Sequence, residues 1–204
     1  MVKEALSKAE RWAQTHTRIR QEAARLLRTR GLRLPSVAEV MAGAKLTVGG
    51  FYGHWDSKEA LFEEALRDSF RDNWAQLIEH ARGESSRERL AAIVRRYLSR
   101  AHRDNPALGC PLPAAMGDAA ALGGPYRDAL AEEIEAIVAD FARVAGPLGG
   151  KQLVLGLFAL MVGGLSLARA TAGTPLSDAV LTASRALALA ALEHAEHARD
   201  KEQT

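Results

Sequence analysis

Apolar residues recur at three- and four-residue intervals along the chain, and no segment alternates with period two for long enough to form a strand. Residues 17–30 place Ile19, Ala23, Leu26 and Leu27 on one face and arginines elsewhere, which predicts a first helix stopped by Gly31. Pro35–Ser36 opens a second. Ser36 and Glu39 have capping-box spacing, and Val37, Val40 and Met41 follow as its apolar face, ending around Ala42–Ala44. Thr47 is a candidate N-cap for a third, short helix ending near Tyr52 or His54. A fourth begins after Asp56–Ser57, with Asp56 and Glu59 as a candidate capping pair. Its stripe runs from Leu61 and Phe62 through Phe70 and Trp74 to Ile78, and Arg82–Gly83 ends it.

The fifth helix follows Ser85–Ser86, turns Leu90, Ile93, Val94, Tyr97 and Leu98 inward, and ends at Asn105–Pro106. The Pro-, Gly- and Ala-rich stretch 106–125 carries one short helix over about 112–121. Pro125 suits the first turn of a seventh, which runs on Leu130, Ile134, Ile137, Val138 and Phe141 to Val144, before Gly146–Pro147. Two long helices, about 149–171 and 175–197, complete an all-α chain of about nine helices.

Composition agrees with a soluble globular protein: 204 residues, 48% hydrophobic and 25% charged, enough to bury a core without staples. The single cysteine, Cys110, excludes an intramolecular disulfide and a multi-cysteine zinc site, and fits a reducing compartment. The first twenty residues hold no apolar run of the kind a secretory signal needs, so a cytoplasmic protein is expected. The longest charge-free stretch, Gln152–Ala168, includes three glycines and falls short of the roughly 20 apolar residues of a membrane span. It reads as a buried or interface helix. No Gly-rich phosphate loop, HExxH or GxSxG occurs, so no enzyme is expected. His194 and His197 lie at i and i+3, but with no third ligand in view they read as part of a solvated C-terminus; no metal or cofactor is expected.

Charge divides the chain. Residues 1–62 hold 11 Lys and Arg against 6 Asp and Glu, whereas residues 63–204 hold 16 against 19. A basic head on a mildly acidic body suggests a polyanion-binding segment, the alternative being chance clustering of solvated arginines. Three helices within the first 55 residues, two of them short and joined by a tight turn, match a helix-turn-helix, whose last helix must fit a major groove about 12 Å wide. Leu46 and Phe51 supply apolar anchors for it.

The residues Ser36–Met41, Leu46-Thr47-Val48-Gly49-Gly50-Phe51-Tyr52-Gly53-His54-Trp55 and Ser57-Lys58-Glu59-Ala60-Leu61 resemble the DNA-binding domain of the tetracycline-repressor (TetR) family, over roughly residues 17–66. The resemblance implies that Thr47, Val48 and Gly49 approach DNA at the start of the recognition helix. It implies that the Tyr52 hydroxyl meets a phosphate, and that His54 and Lys58 lie beside the DNA backbone, the alternatives being a core aromatic for Tyr52 and a satisfied structural histidine for His54. Arg18 is a further phosphate candidate by charge and position, the alternative being a solvated surface charge. Two departures from the family pattern stand out. Lys45 occupies a turn position commonly held by glycine; a left-handed conformation there would cost roughly 1 kcal/mol, which a phosphate contact could offset, unless the turn differs or Gly43 shares the strain. Val48 replaces a commonly polar residue, so thymine methyls and DNA shape are expected to weigh more in readout.

The same resemblance implies a division into a DNA-binding head, residues 1–62, and an effector-binding and dimerisation body, residues 63–204. It also implies a homodimer on double-stranded DNA with a palindromic operator, released by a small-molecule effector. Leu153, Leu157 and Met161, with Leu181, Leu187 and Leu192 of the last helix, are the candidate dimer interface, an intramolecular core being the alternative. Trp74, Tyr97, Cys110, Met116, Tyr126 and Phe158 are candidates for the effector pocket, ordinary core packing being the alternative for the aromatic residues and Met116, and the scarcity of charge on those faces suggests a hydrophobic or aromatic effector. Cys110 admits two readings: a buried, inert thiol, or a redox or electrophile sensor that switches the repressor covalently.

Overall fold

The computed structural model describes residues 6–202; among them are nine α-helices, three short 3-10 segments and no strand. The head comprises α1 (Lys8–Arg30), α2 (Val37–Gly43) and a 3-10 helix, Val48–Gly53. Then α3 (Lys58–Glu79) leads into the body. The body adds α4 (Ser86–Tyr97), α5 (Arg100–Asp104), α6 (Leu112–Leu122), α7 (Gly124–Ala145), α8 (Lys151–Ala170) and α9 (Pro175–Glu202). The boundary expected at residue 62 falls inside α3, so head and body share one continuous helix.

Three boundaries differ from expectation, each for a local reason. Helix α1 begins at Lys8, not Thr17, because Ser7 and Glu10 form a reciprocal capping box; residues 8–14 are exposed and carry no apolar stripe to announce a helix. The cap of α3 is Ser57, whose hydroxyl accepts the Ala60 N–H at 3.0 Å, rather than Asp56. The predicted fifth helix divides at Leu98, and Ser99 caps α5 by accepting from the His102 N–H. The Ser36–Glu39 capping box forms as its spacing predicts.

Helix α1 packs on α2 and α3 around Ile19, Leu27, Val40, Met41, Phe51 and Phe62, all buried. In the body, α3 packs on α7, and α8 on α9. By length and composition alone α8 and Pro175–Lys201 would suffice to cross a membrane, so α8 exceeds the limit expected of its charge-free core. In this fold Val154, Leu157, Phe158, Met161, Val162 and Leu165 of α8 enter the core.

Head and body are clamped together at the α1–α2 turn. Gly31 takes φ 78°, and an added Cβ would lie 2.5 Å from Asp118 Oδ2 and 2.8 Å from the Ala114 carbonyl, so the turn needs glycine twice over. The absent side chain lets Asp118 of α6 accept the N–H groups of Leu32 at 2.8 Å and Arg33 at 3.0 Å. Leu32 is buried. Asp118→Ala strands the Leu32 donor, while water can reach that of exposed Arg33, and is expected to cost about 1–2 kcal/mol, measured as a fall in urea midpoint. Asp118→Asn, which keeps an acceptor, is expected to lose less.

Candidate functional site

The chain between α2 and the 3-10 helix closes as a Schellman turn. Leu46 N–H donates to the Met41 carbonyl at 2.8 Å and Lys45 N–H to the Ala42 carbonyl at 2.9 Å. Lys45 therefore takes the left-handed position with φ 58°, the sole non-glycine residue with positive φ among those described, and Gly43 does not share the strain. Leu46 packs against the core and Phe51 is fully buried, which fixes the base of the 3-10 helix. Gly49 and Gly50 disfavour a longer α-helix here. Away from the core, Thr47, Val48, Gly49 and Tyr52 stand exposed together, Val48 at 48% and Tyr52 at 72%. The Tyr52 ring rests edge-on against Phe51, with centroids 5.2 Å apart, so an exposed phenol is carried on a buried support. Thr47 is extended at the N-cap position without a side-chain capping bond.

The remaining head candidates are engaged with the protein. Arg18 Nη2 donates to the Ala44 carbonyl, bracing the end of α2. Lys58 Nζ donates to the Arg33 carbonyl at 3.1 Å and lies over the Phe62 ring. His54 belongs to an aromatic stack absent from the sequence reading: Trp12 lies 4.9 Å from His54 and 4.8 Å from His16, and His16 lies 4.0 Å from Trp55. The Trp12 indole N–H donates to the Gly53 carbonyl at 3.1 Å, tying α1 to the end of the 3-10 helix. Burial and the neighbouring His16 hold His54 below the ordinary histidine pKa. Against burial, which would raise it, hydrogen bonds from Trp55, His16 and Arg20 hold the Glu64 carboxyl below its usual range. The Ser7–Glu10 capping pair is the signal that could have placed Trp12 and His16 on α1.

In the body the six pocket candidates do not line one cavity. Trp74, Tyr97 and Phe158 are buried with Phe141 in a packed nest, each of the others with its ring centroid 5.1–5.2 Å from Trp74. Cys110 is buried against it, and burial pushes its thiol pKa up. Tyr126 lies elsewhere, beside Lys58 and Glu59 at the start of α3, with its phenol pushed up to about 12 by burial and by the charges of Glu59 and Glu63. Met116 is exposed on α6. Beside the nest, a cleft of about 280 Å³ opens between Asn73, Gln76 and Leu77 of α3 and Arg96, His102 and Leu108.

The interface candidates also divide. Leu157, Met161, Leu181 and Leu192 are buried within the chain and belong to its core, whereas Leu153 is partly buried and Leu187 is 63% exposed. The exposed large apolar residues of α8 and α9 are Leu155, Leu167, Leu176 and Leu187. Apolar residues on several faces of α8 hid this division from periodicity.

Two family models match. Residues 19–65 match the tetR family of bacterial regulatory proteins, and residues 86–146 match the tetracyclin repressor-like C-terminal domain. No curated protein matches the chain. Among solved structures, a TetR-family transcriptional regulator from Streptomyces coelicolor is 18% identical with TM-score 0.69, covering 93% of this chain and 85% of that one. A TetR-family regulator from Cytophaga hutchinsonii is 22% identical with TM-score 0.67, covering 91% and 96%. Reduced NemR of E. coli is 18% identical with TM-score 0.68, covering 84% and 95%. With head and body matched separately to the same family, and the fold shared along most of its length, the chain belongs to the TetR family of DNA-binding transcriptional regulators.

Proposed function

We propose that the protein is a cytoplasmic repressor that binds a palindromic operator as a homodimer and leaves it when a small effector binds the body. The observation that carries the DNA reading is the exposed group Thr47, Val48, Gly49 and Tyr52, held on buried Phe51 and braced by the Lys45 turn. Val48 and glycine backbone facing outward favour contact with thymine methyls and reading of groove shape over side-chain hydrogen bonding. The exposed leucines of α8 and α9 supply apolar area for a two-fold contact. Such a pair would present its recognition segments about 34–36 Å apart, one turn of duplex.

Helix α3 supports the effector reading, since Lys58 at its start braces the head and Trp74 farther along sits in the body's aromatic nest. A hydrophobic effector entering from the adjoining cleft would have to part that nest, and movement of Trp74 would carry through α3 to the head. A coupling of about 1–3 kcal/mol changes operator occupancy 5- to 150-fold. Covalent switching at Cys110 has burial and the raised thiol pKa against it. Cys110→Ser is expected to leave the response to aldehydes and oxidants unchanged.

Fluorescence anisotropy on duplexes from the protein's own promoter region, with salt titration, tests the reading. A steep salt slope with sequence preference retained is expected. Tyr52→Phe, which removes one phosphate donor, is expected to weaken all duplexes alike by about 1 kcal/mol, near fivefold, without altering preference. Equal, weak binding to every duplex would defeat the reading.

A further inference from the structure

Arg28 of α1 and Arg169 of α8 are partly buried and line one cleft of about 580 Å³ where head meets body. Among the described residues neither has a carboxylate in ion-pair distance. Arg28 Nη1 reaches the Ala107 carbonyl at 3.4 Å. Arg169 reaches the carbonyls of His102 at 2.8 Å and Cys110 at 3.5 Å. The Nε of each is buried without a hydrogen-bond partner. Burial lowers the pKa of both guanidinium groups, and the Asp72 charge near Arg28 counters this only in part. The third arginine of the cleft, Arg103, shows the contrast, since Asp104 and Asp178 bind it at 2.7 Å each. Two desolvated cations with no carboxylate in direct contact are expensive to bury, and buried donors are nearly always satisfied. Pro106, Pro113, Ala114 and Ala170 give the same cleft apolar walls.

We propose that this cleft binds a small organic carboxylate, its oxygens facing Arg28 and Arg169 and its carbon skeleton against the proline and alanine walls. A guanidinium presents paired N–H donors that match a carboxylate's two oxygens, and the walls favour a ligand with an apolar tail over a bare inorganic anion. Because one arginine belongs to the head and the other to the body, the ligand joins the two parts across their junction. Its effect on DNA rests on the regulator reading above; its binding does not.

Thermal shift and calorimetry on the full chain use benzoate and hexanoate as probes, with benzamide, hexanamide and inorganic phosphate as comparisons. The carboxylates are expected to raise the melting temperature and the neutral amides to leave it unchanged. Arg28→Gln is expected to weaken carboxylate binding at least tenfold, while the ligand-free variant is no less stable than the wild type because a desolvated charge is gone. Arg169→Lys is the second variant and should also weaken binding. Arg143→Gln, at an exposed arginine outside the cleft, should leave binding intact. Equal stabilisation by amides, equal response in Arg28→Gln and Arg169→Lys, or a response to phosphate alone would each overturn the proposal. In a parallel anisotropy assay the carboxylate should change operator affinity in the wild type and not in Arg28→Gln. An unchanged wild-type affinity overturns the coupling of the cleft to DNA binding, and failure of any duplex to bind overturns the regulator reading while calorimetry still decides the site.

Discussion

Trp74→Ala is expected to cost about 3–5 kcal/mol of folding stability, a large part of the 5–15 kcal/mol that holds a domain of ordinary stability together. The indole is almost wholly buried and touches side chains from three other helices: Tyr97 of α4, stacked at 5.1 Å; Phe141 of α7, edge-on at 5.2 Å; and Phe158 of α8, at 5.2 Å. Its removal leaves a hole where four helices meet, and rigid neighbouring rings cannot collapse far to fill it. Trp74→Phe, which keeps a ring in the nest, should lose markedly less. An apolar cavity of this kind also binds small aromatics, so benzene or indole should restore part of the alanine variant's melting temperature. Urea titrations of the three proteins check this; an alanine variant within about 1 kcal/mol of wild type would mean that the rings do not form the body's structural centre.

Much of this architecture was legible in the residues. The stripe from Leu61 to Ile78 requires a long helix, Ser36 and Glu39 announce α2, and the motif through Phe51 and Tyr52 separates an anchor from an exposed phenol. What escaped had physical reasons. Periodicity detects only faces that are buried, so the exposed start of α1 was invisible and Trp12 with it. Where a helix is apolar on several faces, as α8 is, pattern cannot say which leucines face inward; Leu157 and Met161 went to the core while Leu155 and Leu167 stayed outside. Large side chains on apolar faces mark packed cores, as at Trp74 and Tyr97, more readily than open clefts. Arg28 and Arg169, far apart in sequence, carried no signal at all, because the lack of a contacting carboxylate is a property of three-dimensional neighbours.

Acidification from pH 7 to 4 is expected to remove about 3 kcal/mol of stability through His102 alone. Its Nδ1–H donates to the Tyr97 carbonyl at 2.8 Å, and its Nε2 accepts the Cys110 N–H at 3.0 Å, which requires the neutral ring. A second proton would set one N–H against another. Burial is the main cause that lowers the pKa to about 4, opposed by the Tyr97 hydrogen bond and reinforced by the charges of Arg169 and Arg96. Above about pH 6.5 the ring is neutral in both folded and unfolded chains, and the stabilisation is fully present. As pH falls below that value the unfolded chain takes up a proton that the folded chain refuses, so stability declines until the folded pKa near 4 is passed. His54, also held low by burial and His16, adds a loss of the same sign in the head. Because carboxylates titrate over part of this range, the decisive comparison is wild type against His102→Gln, which retains an acceptor for the Cys110 amide. Urea midpoints from pH 7.5 to 4 should fall less steeply in the variant, the difference reaching about 3 kcal/mol. Parallel curves would assign the acid sensitivity to the carboxylates and leave the His102 bridge between α5 and Cys110 without a role in it.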